Sequence, residues 1–137
     1  MNEEKVLSVV IPVYNERDTI ARVIEKVRGC GVKTEIIIVD DYSTDGTREL
    51  LKGELKGKAD KVLYHKVNRG KGVALRHGFS AATGDFVVVQ DADLEYDPSD
   101  FARLIQPFIS GECDADAVYG SRYLRSNRFR VDGFYHE

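Results

Sequence analysis

Two aspartates, Asp91 and Asp93, flank Ala92 just beyond the apolar run Phe86 to Val89. Four successive apolar residues without alternation suit a central strand covered on both faces. Two carboxylates immediately past its end finish a core badly, but they suit a divalent cation in the crevice outside the carboxyl ends of an open α/β sheet. Residues i and i+2 of extended chain project to one side, so both carboxylates converge on one ion. Oxygen-only ligands favour Mg²⁺ or Mn²⁺, with water and substrate phosphate in the remaining positions. The competing reading is a solvated acidic turn that caps the next helix, and this pair alone does not decide between them.

Other polar clusters follow other apolar runs. Tyr14-Asn15-Glu16 succeeds the first, and Asp40-Asp41-Tyr42-Ser43 succeeds the second. In a parallel sheet these strand ends share one edge with Asp91 and Asp93, and that convergence argues for a site. A further stretch, Asn68-Arg69-Gly70-Lys71-Gly72, reads as a helix start whose backbone N–H groups and two cations form a phosphate cradle. The alternative there is a glycine-rich turn with solvated basic residues. His65, His77 and His136 are scattered and read as structural or solvated. No Cys, Ser or His stands in a nucleophile-plus-base arrangement, and neither GxGxxG after a first strand nor GxxxxGK[ST] is present. A metal-carboxylate site without dinucleotide or ATP loops points to a nucleotide diphosphate carrying a further group.

The elements that must position these residues alternate. Val6 to Val13, Glu35 to Val39, Lys61 to Lys66, Phe86 to Val89 and Ala115 to Gly120 read as strands. Ile20, Val23, Ile24 and Val27 form a helical stripe that Gly29 and Gly31 stop, with Asn15 as its cap and Asp18 in its first turn. A second helix starts in Ser43 to Thr47 and runs to about Leu55. A third opens at Gly70 and Gly72, turns Leu75, Phe79 and Ala82 inward, and closes at Gly84. A fourth begins at Asp97-Pro98, with Phe101, Leu104, Ile105 and Phe108 on its inner face and Pro107 distorting its last turn. Strands that are apolar throughout, alternating with helices, predict right-handed βαβ units: an α/β fold, three layers, with a mostly parallel sheet.

The 137 residues suffice for one domain with a real core, and 42% hydrophobic with 31% charged is a globular composition. A net charge of −3 gives no electrostatic case for nucleic acid. Cys30 and Cys113 lack metal-ligand spacing and suit a reducing cytosol. The opening MNEEKVLSVVIPVY resembles neither a signal peptide nor a membrane span. The expected location is cytoplasmic, with peripheral contact at the cytoplasmic face of a membrane left open. Residues 1–121 are expected to form the core; 122–137, where Arg122, Arg125, Arg128 and Arg130 interleave with aromatic residues, read either as a frayed basic tail or as a phosphate-facing segment.

The ordered set VVIPVYNE (9–16), IIIVDDYSTDGT (36–47), NRGKGVALRHG (68–78), GDFVVVQDADLEYDP (84–98) and VYGSRY (118–123) resembles the inverting family 2 glycosyltransferases of GT-A fold. Within them it is most similar to the dolichyl-phosphate or polyprenyl-phosphate sugar synthases, over about residues 5–124.

The resemblance implies transfer of a hexose from a UDP- or GDP-sugar to a polyprenyl phosphate, with Mg²⁺ or Mn²⁺. A saccharide hydroxyl acceptor, or a non-catalytic nucleotide-sugar-binding fragment, are the alternatives. It implies that Pro12, Tyr14 and Glu16 line the base and ribose pocket, and that Asp40 and Asp41 offer a carboxylate to the nucleoside. Arg69 and Lys71 approach the diphosphate or sugar. Asp91, Ala92 and Asp93 form the DxD segment, with Asp91, Asp93 and Glu95 toward the metal, and Arg122 faces the acceptor phosphate or donor diphosphate. Asp91, Asp93 and Arg122 are thus the expected catalytic residues. Tyr42 departs from the family, which usually has Gly there. The family typically continues for half as much again through an acceptor region, so that region is expected to be missing and self-association through uncovered apolar surface to be open.

Overall fold

The computed structural model describes residues 5–93 and the backbone of 117–119. Among the described residues the elements follow in the order β1 (Val6–Val13), α1 (Ile20–Arg28), β2 (Lys33–Asp40), α2 (Thr47–Lys52), β3 (Lys61–Tyr64), α3 (Lys71–Ala81), β4 (Phe86–Val89) and β5 (Ala117–Tyr119). The five strands form one parallel sheet in the order β3-β2-β1-β4-β5. Winding therefore runs outward from β1 through β2 to β3, then crosses back to β4 on the other side of β1. That reversal leaves a crevice beyond the carboxyl ends of β1 and β4.

Strand alternation divides the core between two helical layers. On one face Leu7, Val9, Ile11, Ile36, Ile38 and Val88 pack against α1 and against Leu51 of α2. On the other, Val10, Ile37 and Val89 meet Leu75 of α3. The α1 stripe of Ile20, Val23, Ile24 and Val27 is buried as its spacing predicts. Cys30 is buried at the end of this layer. Gly78 lets α3 lie close on the sheet, because a Cβ there would collide with the Val10 side chain.

Several local expectations change. Asn15 does not cap α1; Thr19 holds that position, and Asn15 has φ 55°. The Asn15 N–H donates to Ser43 Oγ, and its side-chain oxygen accepts from the Thr44 N–H, so it ties the β1 loop to the β2 loop. Asp18 consequently lies ahead of the helix. The second helix stops at Lys52, where Gly53 follows. Gly84 does not end α3; its N–H donates to Ser8 Oγ, and a Cβ would strike Ser8 and the Val6 carbonyl. The expected Asp97-Pro98 helix, Cys113, His136 and the 122–137 tail lie outside the described residues. Among the described residues no helix is long and apolar enough to cross a membrane.

At the edge of the sheet opposite the crevice, Glu35 gathers the first layer of connections. Its carboxylate accepts from Ser8 Oγ at 2.6 Å, from the Thr83 N–H and hydroxyl at 2.8 Å each, and from Lys61 Nζ at 3.0 Å. Burial pushes this carboxyl up, but the hydrogen bonds outweigh it and hold the group at about 2, against an ordinary 4.5. A carboxyl depressed in the folded state stabilises fully above its unfolded value and loses that contribution as pH falls. Glu35→Gln is therefore expected to lower stability by roughly 1–3 kcal/mol at neutral pH. The gap from the native chain closes as pH falls from about 4.5 toward about 2, in denaturant melts across that window. A gap that stays constant in acid would remove the carboxylate from the account. Gly78→Ala is expected to destabilise by about 1–2 kcal/mol, the overpacking against Val10 exceeding the roughly 1 kcal/mol gain in helix propensity. An unchanged denaturant midpoint would contradict that close approach.

Candidate functional site at the winding reversal

Strand periodicity explains which side chains reach the crevice. In β2, Ile36 and Ile38 face α1 and α2, and Asp40 continues that series. It is fully buried, with Arg48 Nε 2.8 Å from Oδ2 and the Ser43 N–H donating to the same oxygen. Asp41 follows Ile37 and Val39 toward α3 instead. The same logic sends Asp91, after Val87 and Val89, toward α3, where Lys71 Nζ lies 2.8 Å from its Oδ1. Ala92 turns back into the α1 core.

A cleft of about 370 Å³ opens here, with Pro12, Tyr14 and Glu16 on the β1 side, Asp91, Ala92 and Asp93 on the β4 side, and Asp41 and Lys71 between them. Val13 and Ala74 add apolar lining that the sequence motifs did not single out. Eight of the expected residues thus meet in one place. Asp40 does not, because the pleat turns it to the opposite layer, where it clamps Arg48 rather than facing a ligand. Arg69 does not line the cleft either. Glu95 and Arg122 lie outside the described residues.

The Asn68-to-Gly72 segment departs from its expectation as a vacant anion cradle. The N–H groups of Arg69 and Gly70 donate to the two oxygens of Asp41 at 2.7 and 2.8 Å, so this N-terminus of α3 already holds an anion from its own chain. Asn68 Nδ2 donates to the Asp41 carbonyl. Burial pushes the Asp41 carboxyl up, but the Arg69 N–H, His65 and the Gly70 N–H outweigh it and keep the group low. His65, read from sequence as structural, is buried with Nδ1 2.8 Å from Asp41 Oδ1. Its place one residue past β3 is a fourth polar strand end on the same edge, which was the available signal.

Across the crevice, the Thr19 hydroxyl donates to the Ala92 carbonyl and joins the start of α1 to the β4 loop. Periodicity gave no hint of that link. Glu16 is pushed up by burial, and the charges of Asp93, Asp45 and Asp91 add to that, whereas the Thr19 hydroxyl opposes it. Negative charge is thus concentrated here, and the ammonium of Lys71 already sits against one of the carboxylates. An all-oxygen donor pair beside a cation-accepting position fits a hard divalent ion. Two aspartates alone leave the other positions to water and phosphate. Among the described residues no three His, Cys, Asp or Glu side chains gather as a closed protein cage.

Tyr42 has φ 71°, a left-handed backbone that favours the Gly expected there. Its ring lies 5.5 Å from the Arg48 guanidinium, which also stands 5.1 Å from the Tyr64 ring. A cation–π contact of about 0.5–1 kcal/mol is of the same order as the roughly 1–2 kcal/mol backbone cost.

Comparison with known proteins agrees with this architecture. The chain is 36% identical over 132 residues to a dolichol-phosphate mannosyltransferase of Pyrococcus furiosus, covering 94% of this chain and 36% of that protein. It is 34% identical over 113 residues to an undecaprenyl-phosphate 4-deoxy-4-formamido-L-arabinose transferase of Aeromonas hydrophila, covering 78% of this chain and 35% of that one. The chain therefore spans about a third of the length of these curated relatives. Among solved structures, a mannosyltransferase of Pyrobaculum calidifontis in complex with GDP-Man and Mn²⁺ is similar at a TM-score of 0.62 and 29% identity, over 72% of this chain and 30% of that one. The fold is that of the GT-A glycosyltransferases, as expected. The model of glycosyl transferase family 2 matches residues 8–136, and the chain belongs to that family.

Proposed function

We propose that this chain is the donor-binding core of an inverting glycosyltransferase that passes a hexose from a nucleotide diphosphate sugar to a polyprenyl phosphate at the cytoplasmic face of a membrane. The observation that carries this reading is the meeting of Asp91, Asp93 and Lys71 with Tyr14, Glu16 and Asp41 in one cleft. The curated relatives named for dolichol-phosphate and undecaprenyl-phosphate transfer, and the similar mannosyltransferase with GDP-Man and Mn²⁺, support the donor and acceptor classes.

Each side chain has a distinct task in this proposal. Tyr14, about half exposed, offers a flat ring to the base beside Pro12. Asp41 accepts three hydrogen bonds from its own chain, which leaves about one of a carboxylate's four acceptor positions for a ring N–H of the base. Asp91 and Asp93 would hold Mg²⁺ or Mn²⁺, which supplies charge neutralisation on the departing nucleoside diphosphate. Lys71 moves from Asp91 to that diphosphate and stabilises the same developing charge. Arg69 approaches the diphosphate only by turning from its present position outside the cleft. Glu95 and Arg122 belong to the proposal on motif position alone, as a metal-side carboxylate and an acceptor-facing cation.

A polyprenyl phosphate has a second pKa near ~6 and is largely ionised at neutral pH, so it attacks without a strong protein base. Attack opposite the breaking bond inverts the anomeric centre.

Calorimetric titration with GDP-mannose and UDP-glucose, each with Mn²⁺ and with chelator, tests the reading. One donor is expected to bind with metal and to weaken at least about tenfold with chelator, a difference of about 1.4 kcal/mol. Asp93→Asn is expected to abolish that metal dependence while the melting temperature holds. Binding in the variant that is as tight and as metal-dependent as in the native chain would sink the assignment. Transfer to polyprenyl phosphate, tested on whatever chain binds the donor, separates this acceptor from a saccharide hydroxyl.

A further inference from the structure

The three imidazole and carboxylate groups behind the cleft form an unbroken hydrogen-bonded line. Asp41 Oδ1 lies 2.8 Å from His65 Nδ1, and His65 Nε2 lies 2.8 Å from His77 Nδ1 on α3, with the two rings edge to face at 88°. A carboxylate only accepts, so His65 Nδ1 carries a proton and donates it to Asp41. Neutral His65 then accepts at Nε2 from the His77 Nδ1–H, and its tautomer is set from both ends. The ring has almost no alternative orientation, being buried, and Arg48 Nη2 fixes the His65 carbonyl at 2.8 Å.

We propose that His65 is a positioning residue of the cleft: it holds the Asp41 carboxylate in the orientation that orders the Arg69–Gly70 backbone, and thereby places Lys71 against the DxD segment. The chain of causes is short. Asp41 rotates about its own side-chain bonds unless its remaining lone pairs are engaged. His65, itself held by His77, engages Oδ1 and keeps the carboxylate facing the Arg69 and Gly70 N–H groups. Lys71 is the next residue, and its ammonium reaches Asp91 from there.

The line also accepts one added proton without breaking. With His65 doubly protonated, both N–H groups donate, to Asp41 and to His77 Nδ1. The charged groups around the pair decide where that proton resides. Burial lowers the basicity of His77, and the charges of His65, of Arg69 just ahead of α3 and of Arg76 on it lower it further. Two added protons would set N–H against N–H and break the line.

The test compares the native chain with His65→Leu, which lacks a donor, and His65→Asn, whose amide N–H takes the place of the Nδ1–H. Amide exchange and ¹H–¹⁵N shifts are read at Arg69 and Gly70 without any ligand. In His65→Leu the protection of these two amides falls about tenfold or more while β1 amides keep theirs, a loss of the size of one buried hydrogen bond to a charged group. In His65→Asn protection returns. A uniform loss across β1, or unchanged protection of Arg69 and Gly70 in a folded His65→Leu chain, would overturn the positioning role. If His65→Leu does not fold, His65→Phe, which also lacks a donor, is read in the same way. Affinity for the donor rests on the reading of the cleft as a nucleotide diphosphate site, and is expected to fall about tenfold in His65→Leu. Amides that behave as described in a chain that binds neither GDP-mannose nor UDP-glucose support the positioning role and overturn the nucleotide reading alone.

Discussion

Parallel strands joined by right-handed crossovers cannot wind outward from β1 in both directions without parting their connections there. Among the described residues, the segments that leave β1 and β4 form the two lips of a cleft there. All of the candidate chemistry follows from that constraint. Tyr14 and Glu16 come from one lip, and Asp91 and Asp93 come from the other. The strand that bears the first lip, β1, pairs with β2 along its whole length and with β4 over Leu7 to Val10.

The gap is narrow because small bonds close it. Thr19 reaches the Ala92 carbonyl from the start of α1, and Lys71 reaches Asp91 from the start of α3. Asn15 and Ser43 fasten the β1 and β2 loops to each other. A cleft braced from three sides loses little freedom when a ligand enters, which is the physical meaning of preorganisation. The concentration of carboxylates is its tension: burial and the charges of Asp93, Asp45 and Asp91 push the Glu16 carboxyl up, and the Lys71 ammonium sits against Asp91.

Sequence patterns carried the fold further than the wiring of the site. Apolar runs located β1 and β4 to the residue, and the α1 stripe named all four buried positions. Alternation of strands with helices carried the parallel sheet and its layers, but not the order of the strands within it. What the patterns missed depends on backbone angles and on the pleat. Asn15 looks like a cap because its type suits one, yet a φ of 55° makes it a loop clasp. Adjacent Asp40 and Asp41 look equivalent, although successive residues of a strand point to opposite layers. The glycine-rich segment looks open to phosphate, but a carboxylate twenty-eight residues earlier already occupies its N–H groups. His65 had no neighbour in sequence to suggest a partner, since Asp41 and His77 come to it only through the sheet and α3.

The central claim is that Asp91 and Asp93 form a cation site facing Lys71 and the β1 loop. Paramagnetic line broadening of the ¹⁵N-labelled chain by substoichiometric Mn²⁺, with a nucleoside diphosphate present, measures it most directly. Broadening centred on residues 91–93, extending to Glu16 and Lys71 and sparing the Glu35–Thr83 edge, is the predicted result. Broadening centred anywhere else, or spread evenly over surface carboxylates, would contradict the account.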